Sequence, residues 1–141
     1  MSIRLILAAL ALSLSLSLPA LATQPNIKPG QWEYTNVTRY EGVPMPERTD
    51  TNQECVTAED IQQGDAFIEE SDECEVSDME MGSSEARYSM VCVQEGVEMN
   101  MDAHMRFMGE RMEGTIRASL ETPMGPMEMH MDVTGRRIGD C

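Results

Sequence analysis

The sequence predicts a mainly β domain: an antiparallel meander of about seven strands, curled into a bent sheet or an open half-barrel. One short helix, two disulfides and an N-terminal signal peptide complete the expectation. Three observations carry it. From Val97 to Phe107 the chain reads V-E-M-N-M-D-A-H-M-R-F, apolar or small at every odd position and polar at every even one. Strict alternation of this length is the mark of a half-buried strand. Turn chemistry breaks the chain at short intervals, at Gly42 to Pro46, Gly82-Ser83, Glu95-Gly96, Gly109 and Pro123-Met124-Gly125-Pro126. Four cysteines complete the pattern.

At the start, Met1-Ser2-Ile3-Arg4 is short and basic, Leu5 to Leu18 is uncharged, and Pro19-Ala20-Leu21-Ala22 supplies a small-x-small cleavage site. This is the layout of a secretory signal peptide, with cutting expected after Ala22. Residues 1–22 are then a leader and 23–141 one exported domain. The apolar run is shorter than a bilayer span, and the polar chain beyond it predicts no membrane insertion of the mature protein.

Gln31 to Tyr40 and Arg87 to Gln94, rich in Tyr, Val and Thr, read as strands. Thr57 is placed to cap a short helix over Ala58 to Gln63, with Glu59 and Asp60 in its first turn. Glu69 to Glu73 reads as a solvated acidic loop; it lacks the spaced acidic pattern of a calcium loop. Val97, Met101, Met105, Met108 and Met112 also fall near helical spacing. A helix would leave Met99 and Phe107 off its apolar face, and Gly96 and Gly109 bracket the run, so a strand is expected. Met112, Gly114, Ile116, Ala118 and Leu120 share one face of the next strand, and Met127 to Val133 repeats the alternation.

Cys55, Cys74, Cys92 and Cys141 allow three pairings. Cys74 and Cys92 lie symmetrically about Ser83, so a hairpin through that turn brings them opposite each other. That preference leaves Cys55 with Cys141. A four-cysteine metal site is disfavoured because no C-x2-C knuckle is present. Paired cysteines and the leader together imply an oxidising compartment, the periplasm or beyond.

The formal net charge is −15, from 25 acids against 10 bases, and loss of Arg4 with the leader makes it one unit more negative. Such a surface disfavours nucleic acid and anionic membrane surfaces as partners.

Methionine is the compositional outlier, 14 residues against two Phe and one Trp. Its plainest role is adaptable core filling, with Met99, Met101 and Met105 at core positions. A methionine-lined curled sheet also suits a small apolar ligand. A third reading is a soft site for Cu(I) or Ag(I), drawn from Met99, Met101, Met105, Met129, His130 and Met131. On a strand His130 points away from Met129 and Met131, which weakens that motif. No catalytic residues are assigned. Asp102, His104 and Arg106 share the polar face of one strand, which ordinarily means a solvated row with cross-strand ion pairs. No nucleophile elbow or zinc-protease motif occurs.

The landmarks in order are Pro29-Gly30-Gln31-Trp32-Glu33, Cys55-Val56-Thr57-Ala58-Glu59-Asp60, and a closing Arg136-Arg137-Ile138-Gly139-Asp140-Cys141. In this arrangement the chain resembles the bacterial exported family known as domain of unknown function 3617, over essentially all of the mature chain. The resemblance implies an envelope location and paired cysteines; it brings no activity, ligand or catalytic residue with it. Gly30-x-Trp32 is also similar to the opening of lipocalin-type barrels, in which a late arginine covers the tryptophan. That likeness would make Trp32 a structural anchor, with Arg136 or Arg137 stacked on it.

The expected function is therefore a non-catalytic periplasmic binding or envelope-assembly module, without cofactor, for a small apolar ligand or a protein partner. The competing expectation is a Cu(I)/Ag(I)-binding protein.

Overall fold

The computed structural model describes residues 23–64 and 72–141. The expected leader, 1–22, lies outside the described residues, as do Glu69 to Ser71 of the acidic loop. Seven strands form one sheet: β1 (Gly30–Glu41), β2 (Arg48–Val56), β3 (Cys74–Met81), β4 (Glu85–Gln94), β5 (Val97–Phe107), β6 (Arg111–Thr122) and β7 (Gly125–Gly139). Their order is β2-β1-β7-β6-β5-β4-β3, and every neighbouring pair is antiparallel. β3 to β7 are the expected meander. The sheet does not close, and β2 and β3 are its edges.

The one helix among the described residues, α1 (Ala58–Gln63), begins where the sequence places it. The Thr57 hydroxyl accepts from the Asp60 amide at 3.1 Å, and the Asp60 carboxylate accepts from the Thr57 amide at 2.8 Å. This reciprocal box satisfies two otherwise unpaired donors. Gly64, at φ 81°, ends the helix in the left-handed region.

β2 has no apolar alternation; all nine of its residues except Val56 are exposed. It is a strand because its backbone pairs with β1 from Gly30 opposite Val56 to Thr38 opposite Arg48. β7 runs six residues past the predicted stretch, to Gly139, because β1 and β6 flank it along most of its length.

Alternation gives the sheet an apolar inner face and a polar outer one. Val56 on one edge strand and Met81 on the other belong to the same core cluster, with Trp32, Ile61, Ala86 and Phe107 between them. Strands lie about 4.8 Å apart, so a flat seven-stranded sheet would hold its edges nearly 30 Å apart. The sheet is therefore strongly curled around this cluster, and α1 contributes Ile61 to it.

Trp32 is fully buried. Its indole Nε1 donates to the Lys28 carbonyl at 2.9 Å, and its ring stacks on Tyr34 at 6.1 Å. Gly135 lies between Tyr34 and Met112 in the cross-strand row. A Cβ there would stand 2.6 Å from Met112 and 2.9 Å from the Tyr34 ring, so only glycine lets both side chains lie over β7.

The segment before β1 closes this end. The Asn26 amide donates to Ser83, the Lys28 amide to Gly109, and the Gly109 amide back to Asn26, at 2.7–2.9 Å. Ile27 thereby bridges to Gly109 and buries in the core. Cys55 is bonded to Cys141 beside this end, and Cys74 to Cys92 at the other. Two disulfides fit an oxidising, exported environment. Among the described residues no helix is long and apolar enough to cross a membrane.

Candidate functional site

The register sorts the sequence-selected residues onto two faces. On the inner face, Met129, Ala118, Met101 and Met90 form one cross-strand row, and Met127, Leu120, Met99 and Cys92 the next. Met131 lies opposite Ile116 in the row nearer the core. Met105 sits deeper still, buried against Phe107 and Met112. Met99, Met101, Leu120, Met127, Met129 and Met131 are only half-buried. They are contiguous on one surface at the end of the sheet away from Trp32. Met127 and Leu120 escaped the sequence reading as site residues, although the alternation that placed Met129 and Ala118 inward also places them there.

Both histidines are on the other face. His104 lies opposite Arg87 and Thr115, and His130 opposite Arg39 and Arg117. The mixed methionine–histidine site for Cu(I) is thus not assembled. Met129 and Met131 point inward while His130 between them points outward, because successive side chains on a strand alternate. What the inner face offers is thioethers alone.

Arg136 also lies on the outer face, which corrects its expected place over Trp32. It donates to Glu33 through Nε at 2.9 Å and Nη2 at 2.6 Å. Register sets Arg137, not Arg136, opposite Trp32. Arg137 Nε donates to the Pro29 carbonyl at 2.7 Å, and its other arm pairs with Asp140. The Arg136 guanidinium, with help from the Gln53 amide, holds the Glu33 carboxyl below the usual carboxylate range.

The rest of the outer face is a lattice of cross-strand polar pairs. Ser89 donates to Asp102 at 2.6 Å, and His104 Nε2 stands 2.9 Å from Glu85. The contact with His104, followed by the charge of Arg87, keeps the Glu85 carboxyl low. Arg39 spans Glu47 and Asp132, at 2.8 and 2.7 Å. Arg87, Ser89, Asp102, His104, Thr115 and Arg117 line an open groove of about 650 Å³ on this face. Asp102 and His104 each have a partner on β4, while Arg106 lies opposite Glu85 in the register and adds a small share of the positive charge near it. Arranged this way, the row from Asp102 to Arg106 knits β4 to β5.

The two faces therefore offer different chemistry: a soft apolar surface inside, and charged pairs of both signs outside. No curated protein and no solved structure matches the chain. The family described as Protein of unknown function (DUF3617) matches residues 27–141, and the chain belongs to that family.

Proposed function

We propose that the domain is a non-catalytic binding module of the bacterial periplasm, which seats the alkyl chain of a small apolar or amphiphilic molecule on its methionine surface. The supporting observation is the contiguous inner patch of Met99, Met101, Leu120, Met127, Met129 and Met131, half-buried on a curled sheet. Unbranched thioether side chains repack around ligands of varied shape better than Val, Ile or Phe. The strong negative charge favours a neutral or cationic head group over an anionic one.

The test is titration of the mature chain with a neutral naphthylamine dye that brightens in apolar surroundings, followed by displacement with a dodecyl-chain amphiphile. Saturable binding, displaced by the alkyl compound, is expected. The double variant Leu120→Glu, Met129→Glu should lose it while both disulfides and the circular dichroism spectrum persist. Absence of saturable binding, or equal binding by the variant, would overturn the reading.

A second reading is a thioether-only Cu(I) or Ag(I) site, favoured by the shared face of Met99, Met101, Met129 and Met131. Met129→Leu with Met131→Leu separates the two readings. It preserves apolar surface and dye binding, and it removes anaerobic Cu(I) uptake if those sulfurs are ligands.

A further inference from the structure

The β1–β7 register sets Glu41 directly opposite Glu128 on the outer face, with His130 two residues along β7. Like charges directly opposite on a sheet destabilise it, and among the described residues His130 is the only basic side chain within ion-pair distance of either carboxylate. His130 Nε2 stands 3.7 Å from Glu41 Oε1 and 3.7 Å from Glu128 Oε2. Both separations are too long for a hydrogen bond. Nε2 is shut off from solvent and has no hydrogen-bond partner among the described residues. Arg39, opposite His130 on β1, is already held by Glu47 and Asp132. Arg117, opposite His130 on β6, is not within ion-pair distance of either glutamate, and Ser119 lies opposite Glu128. The result is an imidazole nitrogen without a hydrogen bond, equidistant from two carboxylates.

We propose that Glu41, Glu128 and His130 form a site for a borderline divalent transition ion, Zn²⁺ or Cu²⁺. One donor atom from each residue already falls within 4.8 Å of the other two. An ion bound at roughly 2.0–2.2 Å by nitrogen and oxygen ligands draws its donors to about 3.5 Å apart or less. The present 3.7 Å separations need only small side-chain movements, and both glutamates are exposed and free to make them. The donor set decides the ion. An imidazole with two carboxylates suits Zn²⁺ or Cu²⁺ better than Ca²⁺ or Mg²⁺, whereas Cu(I) prefers the thioethers of the opposite face. The ion would neutralise the Glu41–Glu128 repulsion and fasten the end of β1 to β7. This site shares no residue with the methionine surface and stands or falls independently of it.

The test is calorimetric titration of Zn²⁺ into the full mature chain, with excess Ca²⁺ present to occupy unselective acidic positions. One Zn²⁺ per chain is expected. His130→Ala, and Glu41→Gln with Glu128→Gln, should each weaken binding about tenfold or more. His104→Ala removes the other histidine, which pairs with Glu85, and should leave binding unchanged. In the unaltered protein, Zn²⁺ should shift the ring resonances of His130 and leave those of His104 in place, a readout that does not depend on any variant folding. Zinc binding by His130→Ala equal to that of the parent chain, equal losses from both histidine variants, or no stoichiometric binding would overturn the proposal.

Discussion

The two ends of the inner face are built by the same strands and the same alternation, yet they are finished differently. At the Trp32 end, rigid aromatic rings pack over Gly135, α1 supplies Ile61, and the segment around Ile27 is tied down by three backbone hydrogen bonds. At the methionine end Met99, Met101, Leu120, Met127, Met129 and Met131 are half-buried around the buried Met90 and Cys92, and Val97 and Met124 there are exposed. Each end carries one disulfide, but they close chain separations of 86 and 18 residues. Alternation puts apolar groups on a face, and covering segments and glycine-enabled contact turn one part of that face into a core. Without them the other part keeps only a small second core of Tyr88, Met90, Cys92 and Ala103, with Met99 and Met101 half-buried against it.

The largest expected effect on this contrast comes from the disulfides. Replacing Cys55 and Cys141 by Ser should cost about 4.5 kcal/mol, against about 3 kcal/mol for Cys74 and Cys92, from the loop lengths in the chain-entropy model. Urea denaturation under oxidising conditions reads both, and equal costs would erase the asymmetry. Next, Trp32→Ala should cost about 3–5 kcal/mol and Met129→Ala less than about 2 kcal/mol in the same assay, because only the first opens a cavity in a sealed interior. Gly135→Ala should cost about 1–3 kcal/mol by forcing Met112 and Tyr34 apart. A neutral result there would mean the closed end is as adaptable as the open one.

The smallest expected effect is a gain. The Tyr34 hydroxyl is buried without a hydrogen-bond partner among the described residues. Burial, followed by the charge of Glu54, pushes its ionisation up to about 12. Because the folded state favours the neutral phenol beyond the ordinary value near 10, this contribution to stability is whole below pH 10. It disappears as pH rises through 12. Tyr34→Phe removes the unpaired hydroxyl, so it should be neutral or stabilise by about 1 kcal/mol. It should also shrink the late step in the alkaline absorbance titration, leaving the part due to Tyr88, whose ionisation burial also raises; a clear loss of stability would point to a partner for the Tyr34 hydroxyl.

Features set by near neighbours were legible in the sequence. The capping of α1 depends on Thr57 and Asp60, three residues apart, and β5 declares itself through its own alternation. The inner face of β6 and the pairing of Cys74 with Cys92 follow from period two and a centred turn. β2 was not legible because its side chains face water on both sides, and only its backbone makes it a strand. The docking of β1 on β7 was equally hidden, since it joins segments about a hundred residues apart. That pairing decides the rest: it sends Arg136 to Glu33 instead of Trp32, and it brings Glu41 and Glu128 to His130. The methionine surface stood between these cases. Its residues could be assigned to a face, but their half-burial depends on which segments cover the sheet.

The position of β1 beside β7 also sets a schedule for folding. β1 and β2 are made first and can pair as a hairpin, but the other side of β1 has no neighbour until the final strand exists. Glu33 meets Arg136 across 103 residues, and Cys55 needs Cys141, 86 residues further on. Long-range pairing of this kind is slow because the loop must close before any contact rewards it. Until then Trp32 lacks the strand opposite it, and the N-terminal hairpin has an open edge of the sort that pairs with other chains. The fifteen residues of β7 are therefore the step that converts a waiting hairpin and a separate meander into one sheet.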